Sequence, residues 1–317
     1  MHPDIDIDLS ISLKLSSLQL CDRYLFILII LRYYIVNYME LVQDNKSLIK
    51  ISKTLKKNKV LFIDTEFLRN STYWPKLCLI QIKAKKKVYL IDPLAKDVDL
   101  NIIKEIFIDQ SILKVFHSAR QDIEVLMNTF NVIPWPIYDT QVAANFILKE
   151  NDIGYGNLVE TLCGKKLNKK YQVSDWSRRP LKDKQIEYAA LDVEYLPLLH
   201  EILEAKIKAK RKIRLFKSEI EKLKDIIEIY NPKNSYNKIN YRKKNIIKTR
   251  LKILSEWREL SAQKLNIPRN WIISDKTILS ASRKDFKIEK LTKNIKNKNF
   301  DQKLDSFKKF LLKKVLS

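Results

Sequence analysis

Short apolar runs mark the first third of the chain, and polar or turn-forming residues follow each of them. The runs lie at Val60–Ile63, Leu77–Ile82 and Val88–Ile91. Runs of this length are typical of strands that are buried on both faces of a sheet. Because Asp92-Pro93 ends the third run and the runs follow one another closely, we predict an antiparallel meander of three strands.

Helical and extended patterns alternate after this meander. Short apolar stretches predict two further strands, at residues 113–117 and 137–139. Apolar residues at helical spacing predict helices at residues 46–57, 100–107, 120–130, 140–148, 155–163 and 183–205. A meander followed by alternating strands and helices predicts an α/β fold, in which helices flank a mixed sheet.

Strand patterns disappear from the sequence after about residue 210. Helical periodicity covers residues 214–229, 246–266, 275–283, 286–294 and 301–315. The chain of 317 residues has room for two domains. We therefore predict a small all-helical domain at residues 206–317, joined to the first through the basic run Lys206–Lys212. Trp257 and Trp271 are expected in its core.

Positive charge is concentrated in the helical part of the chain. Residues 1–200 contain 28 Lys and Arg and 24 Asp and Glu, whereas residues 201–317 contain 33 and 13. The resulting net charges of +4 and +20 make up the total of +24. A basic half beside a nearly neutral half predicts an arm for a polyanion, most often nucleic acid. The alternative is a lysine-coated soluble surface.

Residues 1–38 form an extension with a pattern of its own. Its apolar run, Tyr24–Val36, is interrupted by Arg32 and is shorter than the roughly 20 residues that span a bilayer. The extension also lacks the features of a signal peptide. It can be an interfacial helix, an extra packed helix or translated sequence upstream of the true start at Met39, and we favour the last.

The cysteines argue for a reducing compartment. Cys21, Cys78 and Cys163 are far apart and form no CxxC pair. This spacing disfavours a disulfide framework or a zinc site and fits the cytoplasm. We expect no membrane association, and the sequence requires nothing larger than a monomer.

Three separate segments carry carboxylates at suggestive positions. Asp64 and Glu66 stand two residues apart at a strand end and project from one face. Asp122 begins a predicted helix, and Tyr188 precedes Asp192 by one helical turn. Alone, each has a structural explanation: a strand-end turn, a helix-dipole interaction or a core tyrosine beside an exposed acid. Together, enclosed carboxylates would repel one another unless a cation such as Mg²⁺ or Mn²⁺ were present.

The three segments in this order resemble the DEDD exonucleases, in the subclass whose last motif contains a tyrosine. Neighbouring residues extend the likeness to ribonuclease D, over residues 39–205: Phe62–Phe67, Thr72–Gln81, Ser174–Leu181 and Tyr188–Val193. In the helical part, Trp257–Glu259 and Asn266–Arg269 resemble the helicase-and-ribonuclease-D C-terminal (HRDC) domain more loosely.

The resemblance implies a ribonuclease H-like fold at residues 39–205, an HRDC-like domain in residues 206–317 and a 3′→5′ exoribonuclease activity. It implies that two divalent ions, Mg²⁺ or Mn²⁺, are held by Asp64, Glu66, Asp122 and Asp192. Tyr188 is expected to orient the attacking water. The implied substrates are tRNA precursors with 3′ extensions and other small structured RNAs, and the implied products are 5′-mononucleotides.

Five further residues are candidates for contacts with the substrate. Phe67 and Tyr73 could stack on a terminal base, or pack in the core. His117 could contact a phosphate, or form a hydrogen bond within the fold. Arg178 and Arg179 could clamp a phosphate, or be ordinary surface charges.

Two other functions remain open at this point. A DNA-directed exonuclease would need the same carboxylates, because contacts to the 2′-hydroxyl distinguish RNA from DNA. The segments Thr72–Pro75 and Asp175–Leu181 favour ribonuclease D over that alternative. A catalytically silent RNA-binding adaptor would be expected to lack a carboxylate or the tyrosine, and all five residues are present.

Overall fold

Six strands form one mixed sheet in the part of the chain that precedes the helical tail. The computed structural model describes residues 38–69, 71–148, 151–167, 174–241 and 246–283. Within these residues the strands are β1 (Met39–Val42), β2 (Val60–Leu68), β3 (Lys76–Ala84), β4 (Lys87–Ile91), β5 (Leu113–Phe116) and β6 (Ile137–Asp139). Their order across the sheet is β1-β4-β3-β2-β5-β6.

The strand pairing confirms the predicted meander. β2, β3 and β4 pair in antiparallel order, while β5 pairs in parallel with β2, and β6 with β5. β1 was not predicted, and it adds a parallel edge strand beside β4. It has four residues, of which only Val42 is buried, so it is too short to carry an alternating pattern.

Helices flank the sheet and form most of the helical tail. They are α1 (Asn45–Leu55), α2 (Asn101–Ile108), α3 (Arg120–Phe130), α4 (Thr140–Asn145), α5 (Tyr155–Cys163), α6 (Asp183–Glu194), α7 (Leu196–Ala209), α8 (Ile213–Glu221), α9 (Ile226–Ile229), α10 (Lys248–Leu265), α11 (Arg269–Ile272) and α12 (Asp275–Ala281). Short 3₁₀ segments lie at Lys222–Asp225 and Pro232–Lys238. The predicted mixed sheet with flanking helices and a helical tail is confirmed.

Some sequence predictions need correction or lie beyond the described residues. The single helix predicted at residues 183–205 is two helices, α6 and α7, because Pro197 in the first turn of α7 cannot continue a helix from before it. The helices predicted at 286–294 and 301–315, and the extension up to residue 37, lie outside the described residues. None of the described helices is long and apolar enough to cross a membrane.

Strand β2 separates two faces of the sheet that pack differently. Leu61 and Ile63 belong to the large apolar core to which α3 contributes. Phe62 packs against the smaller core formed with α6, which covers β2, β3 and β4. Since side chains alternate along a strand, Asp64 and Glu66 lie on the same face as Phe62, beneath α6.

The helical tail has a core of its own. Leu251, Leu254 and Trp257 of α10 pack there with Ile272 and Ile278. Trp257 is buried, as predicted. The prediction for Trp271 is wrong: it is 53% exposed, because the short helix α11 buries Ile272 instead.

The connection between β2 and β3 reaches into the core of the helical tail. The Tyr73 hydroxyl donates to Glu259 Oε1 at 2.5 Å, and the Trp74 N–H donates to Asn266 Oδ1 at 2.9 Å. In the other direction, Phe216 and Ile226 pack in the core of the sheet. The chain therefore contributes to the sheet's core beyond residue 220, while hydrogen bonds join the β2–β3 connection to the tail.

Candidate active site

The end of β2 presents two carboxylates to one cavity. Asp64 and Glu66 project toward α6, and a bulge between Glu66 and Phe67 shifts the register with β3. β2 pairs with β5 through Val60–Phe62 and with β3 from Phe62 to Leu68, so β3 holds the backbone at both acids. This placement keeps the two acids close together at a fixed spacing.

Asp192 adds a third carboxylate from the last turn of α6. One carboxylate oxygen from each of Asp64, Glu66 and Asp192 lies within 4.8 Å of the others. Such hard oxygen donors are the ligands that Mg²⁺ and Mn²⁺ prefer. The structure thus brings together three of the four predicted metal ligands, and their chemistry suits a divalent cation.

Asp122 lies beside this group, in the first turn of α3. It is buried, and the Thr65 hydroxyl donates to its Oδ1 at 2.6 Å. The turn before α3 is held by Asp139, whose carboxylate accepts the N–H groups of Ser118 and Ala119. Asp122 is therefore fixed against β2 through Thr65, which separates Asp64 from Glu66 in sequence.

Negative charge in the site is not balanced by the residues around it. Burial raises the pKa of Asp64 and of Asp122, and the charges of neighbouring carboxylates raise both further. Burial and the charges of Asp64, Asp192 and Asp122 raise the pKa of Glu66 to about 10. Burial raises the pKa of Asp192 to about 8. Four carboxylates so placed ionise together only when a cation joins them.

Tyr188 lies one turn before Asp192 on α6 and faces the same cavity. Its hydroxyl is close enough to the Asp192 carboxylate for each group to affect the pKa of the other. Burial and the charges of Asp192 and Glu66 raise the pKa of Tyr188 well above its ordinary value. The phenol therefore keeps its proton at neutral pH and is a hydrogen-bonding group, not a base.

A cavity of about 670 Å³ surrounds these groups, and Phe67 and His117 also line it. His117 Nδ1 is bonded to Thr140 Oγ1 at 2.9 Å. Burial lowers the pKa of His117 to about 4, so its imidazole is neutral at pH 7. His117 is thus positioned near a substrate but offers no positive charge to a phosphate.

The structure does not bring the other three substrate-contact candidates into this cavity. Tyr73 is in the core of the helical tail. Arg179 is engaged by Asp92 at 2.6 Å and by the Cys78 carbonyl at 2.7 Å. Arg178 is exposed and paired with Asp175 at 3.0 Å. The geometry gives Arg179 a structural function: it fastens the segment that lines the cavity to the sheet.

Sequence analysis missed several residues of the cavity. Arg69, Gln121, Tyr155 and Trp176 all line it. Arg69 stands three residues after Glu66, and this proximity was the available signal. Tyr155 carried no such signal, since it begins a helix that is far in sequence from the four carboxylates of the site.

A second cavity, of about 570 Å³, lies between the sheet and the helical tail. We call it the basic cavity, because four of its lining residues are Arg69, Lys238, Arg258 and Arg269. Arg69 lines both cavities. The two cavities are therefore neighbours.

Sequence profiles of known families match both regions. The profile described as 3′-5′ exonuclease matches residues 39–208, which is more than half of the chain. This chain belongs to the 3′-5′ exonuclease family. The HRDC domain profile matches residues 248–287, in the helical tail of this exonuclease-family protein.

Relatives and solved structures are also similar to this chain. Ribonuclease D of Zymomonas mobilis is 38% identical over 242 residues, 75% of this chain and 62% of the relative. The structure of Escherichia coli RNase D, described as an exoribonuclease involved in structured RNA processing, has a TM-score of 0.76 and 27% identity over 88% of this chain and 75% of that one. Brucella melitensis NrnC with bound Mg²⁺ shares the fold, with a TM-score of 0.50 and 24% identity over 61% of this chain and 90% of its own. The chain spans about 62% of the curated relative's length.

Proposed function

We propose that this protein removes nucleotides one by one from the 3′ end of RNA by metal-dependent hydrolysis. The observation that carries the proposal is the convergence of Asp64, Glu66 and Asp192 in one cavity, with Asp122 held beside them. In this reaction water attacks the terminal phosphodiester phosphorus, and the 3′ oxygen of the preceding nucleotide leaves. The product is a 5′-mononucleotide.

Four carboxylates would hold two divalent ions, Mg²⁺ or Mn²⁺. Asp122 is assigned to the set because its charge raises the pKa of Glu66, and the charge of Asp64 raises the pKa of Asp122. When bound, such ions lower the pKa of the attacking water and stabilise the leaving oxygen. The bound Mg²⁺ of the similarly folded Brucella melitensis NrnC supports Mg²⁺ as one of them.

Tyr188 would position the attacking water. Its phenol keeps the proton and lies close to Asp192. A hydrogen bond from this fixed group restricts where water can lie, and such orientation alone accelerates a reaction substantially. His117, neutral and bonded to Thr140, would shape the cavity wall.

Three observations support RNA, in particular tRNA precursors with 3′ extensions and other small structured RNAs, as the substrate. Curated relatives are ribonuclease D, and the similar Escherichia coli enzyme is described as processing structured RNA. The basic cavity adjoins the carboxylates through Arg69. A net charge of +20 in residues 201–317 favours binding of a polyanion. We also propose that the protein is cytoplasmic and monomeric. Light scattering on the purified protein tests the oligomeric state.

The test uses a 3′-extended tRNA labelled at its 5′ end, with matched single-stranded DNA alongside. We expect a ladder that shortens by single nucleotides with Mg²⁺ and disappears with EDTA. Asp192→Asn should remove the ladder. Glu187→Gln, an exposed acid on the same helix, is the matched control and should leave it intact.

The competing functions give different results in this assay. Degradation of the DNA alone would replace the proposal with a DNA-directed exonuclease of the same family. Binding of the RNA without cleavage would indicate a silent RNA-binding adaptor, although all five residues of the site are present. An intact ladder in Asp192→Asn would contradict the site assignment itself.

A further inference from the structure

The junction between α6 and α7 contains an unusual set of hydrogen bonds. In a continuous α-helix the Tyr195 N–H would donate to the Leu191 carbonyl, four residues back. Here the Tyr155 hydroxyl stands between these two groups. It donates to the Leu191 carbonyl at 2.9 Å and accepts from the Tyr195 N–H at 3.1 Å.

The sequence explains why the helix opens at this place. Pro197 has no N–H, and its ring clashes with the carbonyl four residues before it, so α6 cannot run on into α7. A side chain inserted into the helical hydrogen-bond ladder produces a break of the same kind. The Tyr155 hydroxyl thus satisfies a carbonyl and an N–H at the break.

Tyr155 is itself well anchored. It is the first residue of α5, and its ring packs edge-on against His117 with ring centroids 5.6 Å apart. Both rings line the carboxylate cavity. The hydroxyl is therefore held by an element that is remote from α6 in the sequence but adjacent to the site.

We propose that Tyr155 is a positioning residue, whose hydroxyl sets the orientation of Asp192 and so the geometry of the metal site. Asp192 lies between Leu191 and Tyr195, inside the turn that the hydroxyl bridges. Without the bridge, the Leu191 carbonyl and the Tyr195 N–H lose their link to α5, and the turn that carries the carboxylate is free to change its orientation. The inference rests on the proposed function, since it treats Asp192 as a metal ligand.

The test compares Tyr155→Phe with Tyr138→Phe. Tyr155→Phe removes the bridge and keeps the ring, while the buried Tyr138 hydroxyl has no hydrogen-bond partner among the described residues. Mn²⁺ binding is measured without RNA by electron paramagnetic resonance, and kcat and KM are measured on the 3′-extended RNA. We expect Tyr155→Phe to weaken Mn²⁺ binding by roughly 10–100-fold, as loss of a group that orients a metal ligand does.

Further readouts separate positioning from other roles. Tyr155→Phe should lower kcat at limiting Mn²⁺ and leave KM for RNA unchanged, and excess Mn²⁺ should restore part of kcat. Tyr138→Phe should match the wild type. Placing 4-aminophenylalanine at position 155 returns a donor to the Leu191 carbonyl and should recover part of the Mn²⁺ affinity.

Three results would overturn the inference. Unchanged Mn²⁺ affinity in Tyr155→Phe would show that the hydroxyl does not set the ligand geometry. A raised KM with normal Mn²⁺ affinity would make Tyr155 a substrate contact instead. No recovery with the amine would assign the loss to something other than the hydrogen bond. If the wild type itself bound no Mn²⁺, the proposed function would fail as well, so the two failures are distinguishable.

Discussion

The carboxylate cavity, called the acidic cavity below, and the basic cavity share Arg69 but differ in charge balance: the acidic one has unpaired charges, and the basic one has paired charges. In the acidic cavity, three carboxylates lie within 4.8 Å of one another, and their pKa values are raised. In the basic cavity every cation has a carboxylate partner: Arg69 with Glu124, Arg258 with Asp275, and Lys238 and Arg269 with Glu259. Unbalanced charge is typical of a site built for an external partner, whereas these ion pairs join elements within the sheet region or within the helical tail.

The largest expected effect comes from removing one carboxylate charge from the acidic cavity. Asp64→Asn should abolish exonuclease activity, a greater loss than the roughly 10–100-fold that outer groups around a metal cause. It should also raise the melting temperature of the metal-free protein, because burial disfavours the charged Asp64. Calorimetry in EDTA beside the RNA assay checks both. A lower melting temperature in EDTA would mean that the carboxylates are balanced after all.

Removing the carboxylate charge that pairs with cations of the basic cavity should lower stability instead. Glu259 is fully buried and accepts from Tyr73 and from Lys238 at 2.6 Å. Glu259→Gln leaves Lys238 without its countercharge, and we expect a loss of about 3 kcal/mol in the free energy of unfolding. Denaturant titration measures it, with Glu256→Gln on the same helix as the control. Equal stability of both variants would contradict a structural function for Glu259.

Asp192 in the acidic cavity should also make the stability of the metal-free protein depend on pH. Asp192 has a pKa of about 8 in the folded protein, against 3.8 ordinarily. The folded state therefore binds a proton that the unfolded state has lost. Protonation of Asp192 in the folded state therefore stabilises the protein. This stabilisation is complete below the unfolded pKa and is lost as pH rises through about 8. The melting temperature of the metal-free wild type, relative to Asp192→Asn, should fall between about pH 5 and about pH 9. Mg²⁺ should reverse the fall, and a flat difference would refute the shift.

The smallest expected effect concerns RNA binding at the basic cavity. The Arg269 side chain is 38% exposed and lies 3.6 Å from Glu259, so it can reach a phosphate as well. Arg269→Gln should raise KM, leave kcat unchanged and reduce the log–log salt slope of RNA binding by about one. Lys276→Gln, an exposed cation on α12, is the matched control. An unchanged salt slope in Arg269→Gln would remove this cavity from the RNA path.

Local patterns predicted much of this architecture. The apolar runs before Asp64 and after Lys76 fall in β2 and β3, and the alternation along β2 explains why Asp64 and Glu66 share a face. The structure brings Asp192 to them. The resemblance to the DEDD exonucleases implied this meeting, because local geometry predicts only the direction of each side chain within its own strand or helix.

Contacts between distant segments could not be predicted in the same way. Periodicity reports which side chains are buried but not what they touch. Tyr73 bonds to Glu259, 186 residues away, and Arg179 bonds to Asp92, 87 residues away. Both were only candidates for substrate contacts, because an aromatic or a cation near a motif has the same appearance in sequence whether it faces RNA or a carboxylate.

The Tyr73 contact has a consequence for the evolution of the family. The short connection between β2 and β3 begins beside the carboxylates and ends in the core of the HRDC-matching region, where Tyr73 also accepts from Gln263 at 3.1 Å. An HRDC domain taken from another protein would meet this tyrosine with the wrong residues. Positions 73, 259 and 263 should therefore change together among relatives that contain both regions.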